Sequence, residues 1–347
     1  MIKKTGHIAE DGELLWLLSS GAEIGFRVTG ATKLQLKLQA DDTVEDPETE
    51  PLLPRFEVRL DGEKVLDRRL TDRETAVTVF EGTEKRDAEV RLIKLSECTQ
   101  SLMALREIMT DGETAPLPER LLRMEFIGDS ITCGYGVEGK DVDAPFTTAA
   151  ENAGKAFAFL AAEALNADAV LTSFSGYGIV SGYTENPAVR NEDELVTKYY
   201  EKEGRNSFRL PSGRRIQDIP RDFSAFQPAY IVMNLGTNDL SWCGEDRERG
   251  QLFVREYRAF LKTVRKHNPA ARILCILGVM GTGLNRAVQQ AVEEYCGETG
   301  DREVRAMMLE EQNAARDGLG SYSHPSEITQ QLLAEKVTDA IRKWMQQ

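Results

Sequence analysis

Ser130 stands in Gly128-Asp129-Ser130-Ile131-Thr132, directly after a short apolar run, Arg123-Met124-Glu125-Phe126-Ile127. A hydroxyl at the carboxyl end of a strand lies where an open α/β sheet places its chemistry. Cleaving an ester through a serine needs a nucleophile, a base and donors for the developing oxyanion. The base can be sought by elimination, because the chain holds three histidines, His7, His267 and His324. His7 falls in the N-terminal segment and is expected to be exposed. His267 ends a helical pattern in Lys266-His267-Asn268-Pro269, where histidine commonly stabilises the terminal carbonyls. His324 lies in a loop after the last apolar run, beside glycines and ahead of a helix capped by Ser326. Imidazole titrates near neutrality and can take a serine proton. Two further strand ends offer donors: Gly176, in Ser175-Gly176-Tyr177-Gly178, brings a backbone N–H that no side chain shields. Asn238, in Gly236-Thr237-Asn238-Asp239, brings an amide. With the Ser130 N–H these make three convergent donors.

Each residue also has an ordinary reading. Serine caps helices, glycine and asparagine suit left-handed turns, and a loop histidine can simply be solvated. What favours the chemical reading is that all four follow in chain order, each at a strand end or in the last loop.

The elements that must carry these residues fall into two rhythms. Up to about residue 110 the pattern has period two: Leu34, Leu36 and Leu38, then Phe56, Val58 and Leu60, then Val77 and Val79, then Val90 and Leu92 alternate with polar residues. Such alternation predicts strands with one buried face, and Asp61-Gly62 predicts a hairpin turn. An all-β jelly roll or β-sandwich is therefore expected over residues 1–112. The polar, proline-bearing stretch Thr110–Pro118 resists both helix and central strand and predicts a linker over 113–120. From 121 to 347 short apolar strands alternate with helical patterns, with strands expected at Arg123–Ile127, Ala169–Thr172, Tyr230–Asn234, Arg272–Leu277 and Val304–Met308. Helical faces are expected through Phe157, Leu160, Ala161, Ala164 and Leu165, through Phe253, Tyr257, Phe260, Leu261 and Val264, and through Ile328, Leu332, Leu333, Val337 and Ile341. Strand-helix alternation implies a three-layer α/β/α domain around a parallel sheet. Residues 183–218 exceed an ordinary connection and are expected to form a lid or an extra surface helix.

Composition narrows the class. Of 347 residues 41% are hydrophobic, enough for a sizeable core, and the net charge is −14. That charge argues against nucleic-acid binding and against adhesion to anionic membranes, but suits a neutral substrate. The five cysteines show no CxxC spacing, so buried thiols are expected rather than a disulfide framework. Met1–His7 has no apolar signal core, which predicts a cytoplasmic location, or a secreted one if a leader preceded this numbering.

The Gly-Asp-Ser block, the glycine of Ser175-Gly176, the asparagine of Gly-Thr-Asn-Asp and His324-Pro325 together resemble the four blocks of the SGNH (GDSL-type) hydrolases, over roughly Leu122 to the C-terminus. With a β-domain in front, the chain further resembles carbohydrate esterase family 2, whose first block is close to Gly128-Asp129-Ser130-Ile131-Thr132-Cys133-Gly134-Tyr135-Gly136. The resemblance implies a flavodoxin-like sheet, O-deacetylation of plant polysaccharides such as xylan or glucomannan, and neither metal nor organic cofactor. It implies Ser130 as nucleophile, His324 as base, and Gly176 and Asn238 as oxyanion donors. One departure stands out. Many SGNH enzymes carry an aspartate three residues before the histidine, and here that position is Ser321. A Ser-His dyad steered by a backbone carbonyl is then expected; Ser321 could bond the ring but supplies no charge, and Asp317 is a less suited orienter.

Asp129 is expected to accept loop N–H bonds rather than enter the chemistry. Trp242, and more weakly Tyr177 and Tyr135, offer aromatic faces for a sugar ring, with ordinary packing the alternative. Gly134-x-Gly136-x-x-Gly139 matches a dinucleotide fingerprint, but Gly128-Asp129-Ser130 separates it from the strand and no acidic residue ends the second strand. Competing readings are a lipase, a small-metabolite esterase and a non-catalytic carbohydrate-binding protein.

Overall fold

The computed structural model describes residues 2–347. The first half is a nine-stranded antiparallel sheet wrapped over its own apolar core, the expected β-sandwich. Its spine is two long strands, Glu23–Ala40 and Glu74–Lys94, paired along most of their length. The alternating residues Leu34, Leu36, Leu38, Phe56, Val58, Leu60, Val90 and Leu92 are all buried, as period two requires of a one-sided sheet. Asp61 and Gly62 both take positive φ, 51° and 89°, the pair that a tight two-residue hairpin needs, and they join Arg55–Leu60 to Glu63–Arg69.

The predicted linker is shorter than expected. Glu113–Pro116 is a strand paired with Glu23–Ala40, with Pro116 opposite Phe26. Asp111 accepts the Thr32 and Lys33 N–H groups and turns the chain back along the sheet. Proline is tolerated there because it sits at a strand terminus.

The second half is a five-stranded parallel sheet formed by Leu122–Gly128, Ala167–Ser173, Tyr230–Asn234, Arg272–Val279 and Val304–Glu311. In space the strands run second, first, third, fourth, fifth. Helices Phe157–Ala164, Arg247–His267, Asn285–Thr299 and Glu327–Met345 cover its faces. Phe253, Tyr257, Phe260, Leu261 and Val264 are buried as the helical period predicts. The last helix is rotated from its expected face: Ile328 and Leu332 are exposed, while Thr329, Gln330 and Thr338 are buried. Gln330 explains the rotation. Its side chain accepts the Phe157 N–H at 2.8 Å and donates to the Ile131 carbonyl at 2.9 Å, tying this helix to the segment after Ser130.

The halves also share a core, in which Leu14, Trp16, Leu18 and Ala104 pack with Phe174, Ile216 and Met233. Residues 183–218 form no substantial helix, holding the turn Val196–Tyr199 and the short 3₁₀ stretch Ile216–Asp218. They wedge between the halves: Tyr200, Leu210 and Ile216 are buried, Ser212 N–H and Arg214 bind Asp11, and Asn206 Nδ2 donates to the Cys98 carbonyl. His7 is buried in the same seam, not exposed, because Thr172 Oγ1 at 2.9 Å and Glu203 at 3.4 Å satisfy its ring nitrogens.

Candidate active site

An open sheet of this strand order has its crevice outside the carboxyl ends of the first and third strands, where the order reverses. Ser130 follows the first strand and Asn238 the third. Ser130 opens a single-turn helix, Ser130–Cys133, whose cap is Asp129: one Asp129 oxygen accepts the Ile131 N–H at 3.0 Å. Asp129 is completely buried, and burial pushes its carboxyl up to about 7 against the opposing Ile131 bond. It accepts one loop N–H, that of Ile131.

His324 reaches this point because two loops pack at glycine distance. Ser321 N–H donates to the Gly136 carbonyl at 3.0 Å, and a Cβ on Gly139 would fall 1.9 Å from Ser321 Oγ. Two of the glycines that mimic a dinucleotide motif, Gly136 and Gly139, thus serve this close approach; Gly134 instead packs against the Asn152 carbonyl. Tyr322 and Ser323 then take left-handed backbone, φ 51° and 58°, at a cost of about 1–3 kcal/mol each for side chains other than glycine. The result is that the Ser321 and Tyr322 carbonyls both lie 3.1 Å from His324 Nδ1. A proton on Nδ1 bonds to them, leaving the Nε2 lone pair to face Ser130 Oγ at 2.9 Å. No carboxylate bonds the ring among the described residues. Burial, opposed by those two carbonyls, lowers the imidazole pKa to about 4. Tyr135 packs its ring against His324 at 4.4 Å and stacks on Phe146 at 4.0 Å.

Three N–H donors lie just past these strand ends. The Ser130 and Gly176 N–H groups donate no bond among the described residues. Gly176 sits at φ 84°, a left-handed conformation that L side chains rarely take. Asn238 Nδ2 donates to the Tyr177 carbonyl at 2.9 Å and lies 3.5 Å from Asp129, so one amide hydrogen is committed and the other is only weakly engaged. Asp239, next in sequence and fully buried, accepts the Ile179, Val180 and Ser181 N–H groups. It locks the loop after Gly176 to the helix that carries Asn238. Burial pushes Asp239 up to about 6.

The structure therefore brings Ser130, His324, Asn238 and Asp129 together and places Gly176 on the adjoining loop. Other expectations are corrected. Tyr177 is 3% exposed, its ring packed on Phe174 and Tyr199, so it offers no face to a sugar; its carbonyl positions Asn238 instead. Ser321 orients the base through its carbonyl, since its hydroxyl is buried against Gly139. Asp317 is held by the Arg316 guanidinium. Trp242 has Arg249 and Arg190 over its ring at 4.6 and 5.4 Å and makes no hydrogen bond or ring contact with Ser130 or His324. Sequence reasoning missed Phe146 and Asp239; only the adjacency of Asp239 to Asn238 could have signalled either.

A family model described as GDSL-like Lipase/Acylhydrolase family matches residues 126–332. The cellulase/esterase CelE of Acetivibrio thermocellus is 35% identical over 236 residues, covering 67% of this chain and 27% of that protein. An acetylxylan esterase / glucomannan deacetylase of Cellvibrio japonicus is 25% identical over 297 residues, covering 84% of this chain and 76% of that one. The chain thus spans about a quarter of CelE's length. A family two carbohydrate esterase from Clostridium thermocellum, solved in complex with cellohexaose, superimposes with a TM-score of 0.84 at 26% identity over 99% of both chains. The acetyl xylan esterase Est2A from the rumen bacterium Butyrivibrio proteoclasticus gives 0.87 at 24% identity, over 99% of this chain and 95% of that one, a likeness of fold.

Proposed function

The chain belongs to the GDSL-like lipase/acylhydrolase family, and from that premise we propose that it is a serine esterase removing O-acetyl groups from plant-type oligo- or polysaccharides such as xylan or glucomannan. The observation that carries the esterase reading is the 2.9 Å contact between Ser130 Oγ and His324 Nε2, with Nδ1 held by two carbonyls. The carbohydrate part rests on relatives named as acetylxylan esterases and on a structural neighbour solved with cellohexaose.

In this reading Ser130 Oγ attacks the acetyl carbonyl as His324 Nε2 takes its proton. The carbonyl oxygen becomes an oxyanion facing the Ser130 and Gly176 N–H groups and Asn238 Nδ2. Collapse breaks the bond to the sugar oxygen, which leaves with the proton from His324. Water, deprotonated by the same imidazole, then cleaves the acetyl-serine and releases acetate. The Ser321 and Tyr322 carbonyls hold the productive tautomer; their dipoles replace the aspartate of a triad.

Asn238→Ala should lower kcat for p-nitrophenyl acetate by about 10²–10³-fold, the usual loss for one oxyanion donor, with KM little changed. An unaltered kcat would remove Asn238 from the hole. The substrate class is tested by acetate release from acetylated xylo- and manno-oligosaccharides against p-nitrophenyl esters of increasing chain length. Efficient release from the sugars, with rates falling as the acyl chain lengthens, is expected. A preference for long acyl chains would favour a lipase, and sugar binding without turnover a binding protein.

A further inference from the structure

Glu97 belongs to the antiparallel half, in the loop after the strand Glu74–Lys94. Its side chain is completely buried and crosses the seam into the parallel half. There Oε2 accepts the Ser175 N–H at 2.8 Å and lies 3.7 Å from the Cys133 thiol. Oε1 accepts Gln100 Nε2 at 3.2 Å, and the Glu97 N–H donates to Glu151 Oε2 at 3.1 Å. Cys133 closes the helical turn that Ser130 opens. Ser175 directly precedes Gly176. One side chain from the antiparallel half therefore touches both the turn that Ser130 opens and the residue before Gly176.

The ligating atoms of Glu97, Cys133 and Glu151 lie within 4.8 Å of one another, a spacing a metal ion could use. The hydrogen bonds favour a different role. Glu97 Oε2 is already occupied by the Ser175 N–H, and the Cys133 thiol lies 3.2 Å from Ser173 Oγ as well as 3.7 Å from Glu97. Burial, reinforced by Glu97, holds the Cys133 thiol well above its usual range, so it stays a donor. Burial, again reinforced by Glu97, also pushes Glu151 well above the carboxylate range. The cluster reads as a hydrogen-bond hub centred on Glu97.

The hub acts where the backbone is freest. Gly176 has no side chain to fix its peptide, and its own N–H is unpaired among the described residues. Its carbonyl, in the peptide that follows, is held by the Tyr183 N–H at 2.7 Å, and the Ser175 N–H, in the peptide one step earlier, is held by Glu97. Between these two anchors the direction of the Gly176 N–H is set. A displacement of about 1 Å at such a donor can cost on the order of 10²-fold in rate.

We propose that Glu97 is a positioning residue for ester cleavage, by which the antiparallel half aims the Gly176 donor; this rests on the Ser130 esterase reading above.

Three full-length variants test it. Glu97→Gln keeps the reach and an acceptor oxygen, Glu97→Asp keeps the charge but withdraws it by one methylene, and Glu97→Leu removes both. On p-nitrophenyl acetate, kcat of Glu97→Gln should stay within about fivefold of wild type, while Glu97→Asp and Glu97→Leu lose at least about tenfold, with KM within about twofold throughout. Should Glu97→Leu fail to fold, the Gln and Asp variants decide alone. Equal kcat for Gln and Asp, or losses appearing in KM with kcat intact, would overturn the proposal. Turnover surviving in Ser130→Ala would instead sink the esterase reading; a dead Ser130→Ala beside a fully active Glu97→Asp would sink only the role of Glu97.

Discussion

Ser130→Ala is expected to lower kcat for p-nitrophenyl acetate by about 10⁴-fold or more while the protein melts at nearly the wild-type temperature. The size follows from removing the atom that forms the covalent bond; what remains comes from binding and the oxyanion donors, which alone give a small fraction of a serine hydrolase's rate. The fold should survive, because Ser130 Oγ supports no structure. The helical turn it opens is capped by Asp129, and the one partner recorded for Oγ is His324 Nε2, on a half-buried ring. Steady-state kinetics beside a thermal melt separates loss of chemistry from loss of fold. A folded variant within tenfold of wild type would mean that Ser130 is merely the residue that opens a helix.

His324→Ala should cost a comparable factor, on the order of 10⁴–10⁶ in kcat, because nucleophile and base act as a unit. Its absent carboxylate makes a second, independent prediction. The neutral imidazole is the working base, and burial lowers its pKa to about 4. The free enzyme's kcat/KM should therefore stay level as pH falls from 7 to 5 and drop only on approach to about 4. The same shift has a stability cost. Between about 4 and the unfolded value near 6.5, the unfolded chain takes up a proton that the folded site refuses, so this group's contribution to stability declines as pH falls through that window. A kcat/KM profile that breaks between pH 6 and 7 would show an ordinary imidazole and contradict the buried dyad.

What the sequence reveals about this site depends on how local each constraint is. Ser130, Gly176 and Asn238 were legible because each lies two to four residues past a short apolar strand, and a parallel sheet turns those strand ends into one crevice. His324 was legible because only three histidines exist. The missing aspartate was visible at Ser321, but its physical reason is tertiary: the Ser321 side chain packs on Gly139 with no room beside it, and left-handed backbone at Tyr322 and Ser323 turns carbonyls toward the ring. Tyr177 was misjudged as an open face because an aromatic beside a motif does not say which way its ring points. The wedge formed by 183–218 and the burial of His7 were invisible for a related reason. Both depend on how the halves meet, and no periodicity within either half encodes that seam. The seam also hides Glu97, 33 residues before the nucleophile and in the other half of the chain.

In the proposed reaction Ser130 acts as a nucleophile activated by His324. The direct measurement is peptide mass mapping after treatment with a fluorophosphonate, which phosphonylates only an activated serine. One phosphonyl group is expected, on the peptide carrying Ser130, with turnover lost in proportion to labelling and no label in Ser130→Ala. A label on another residue that tracks the loss of turnover, or full activity after treatment, would contradict it.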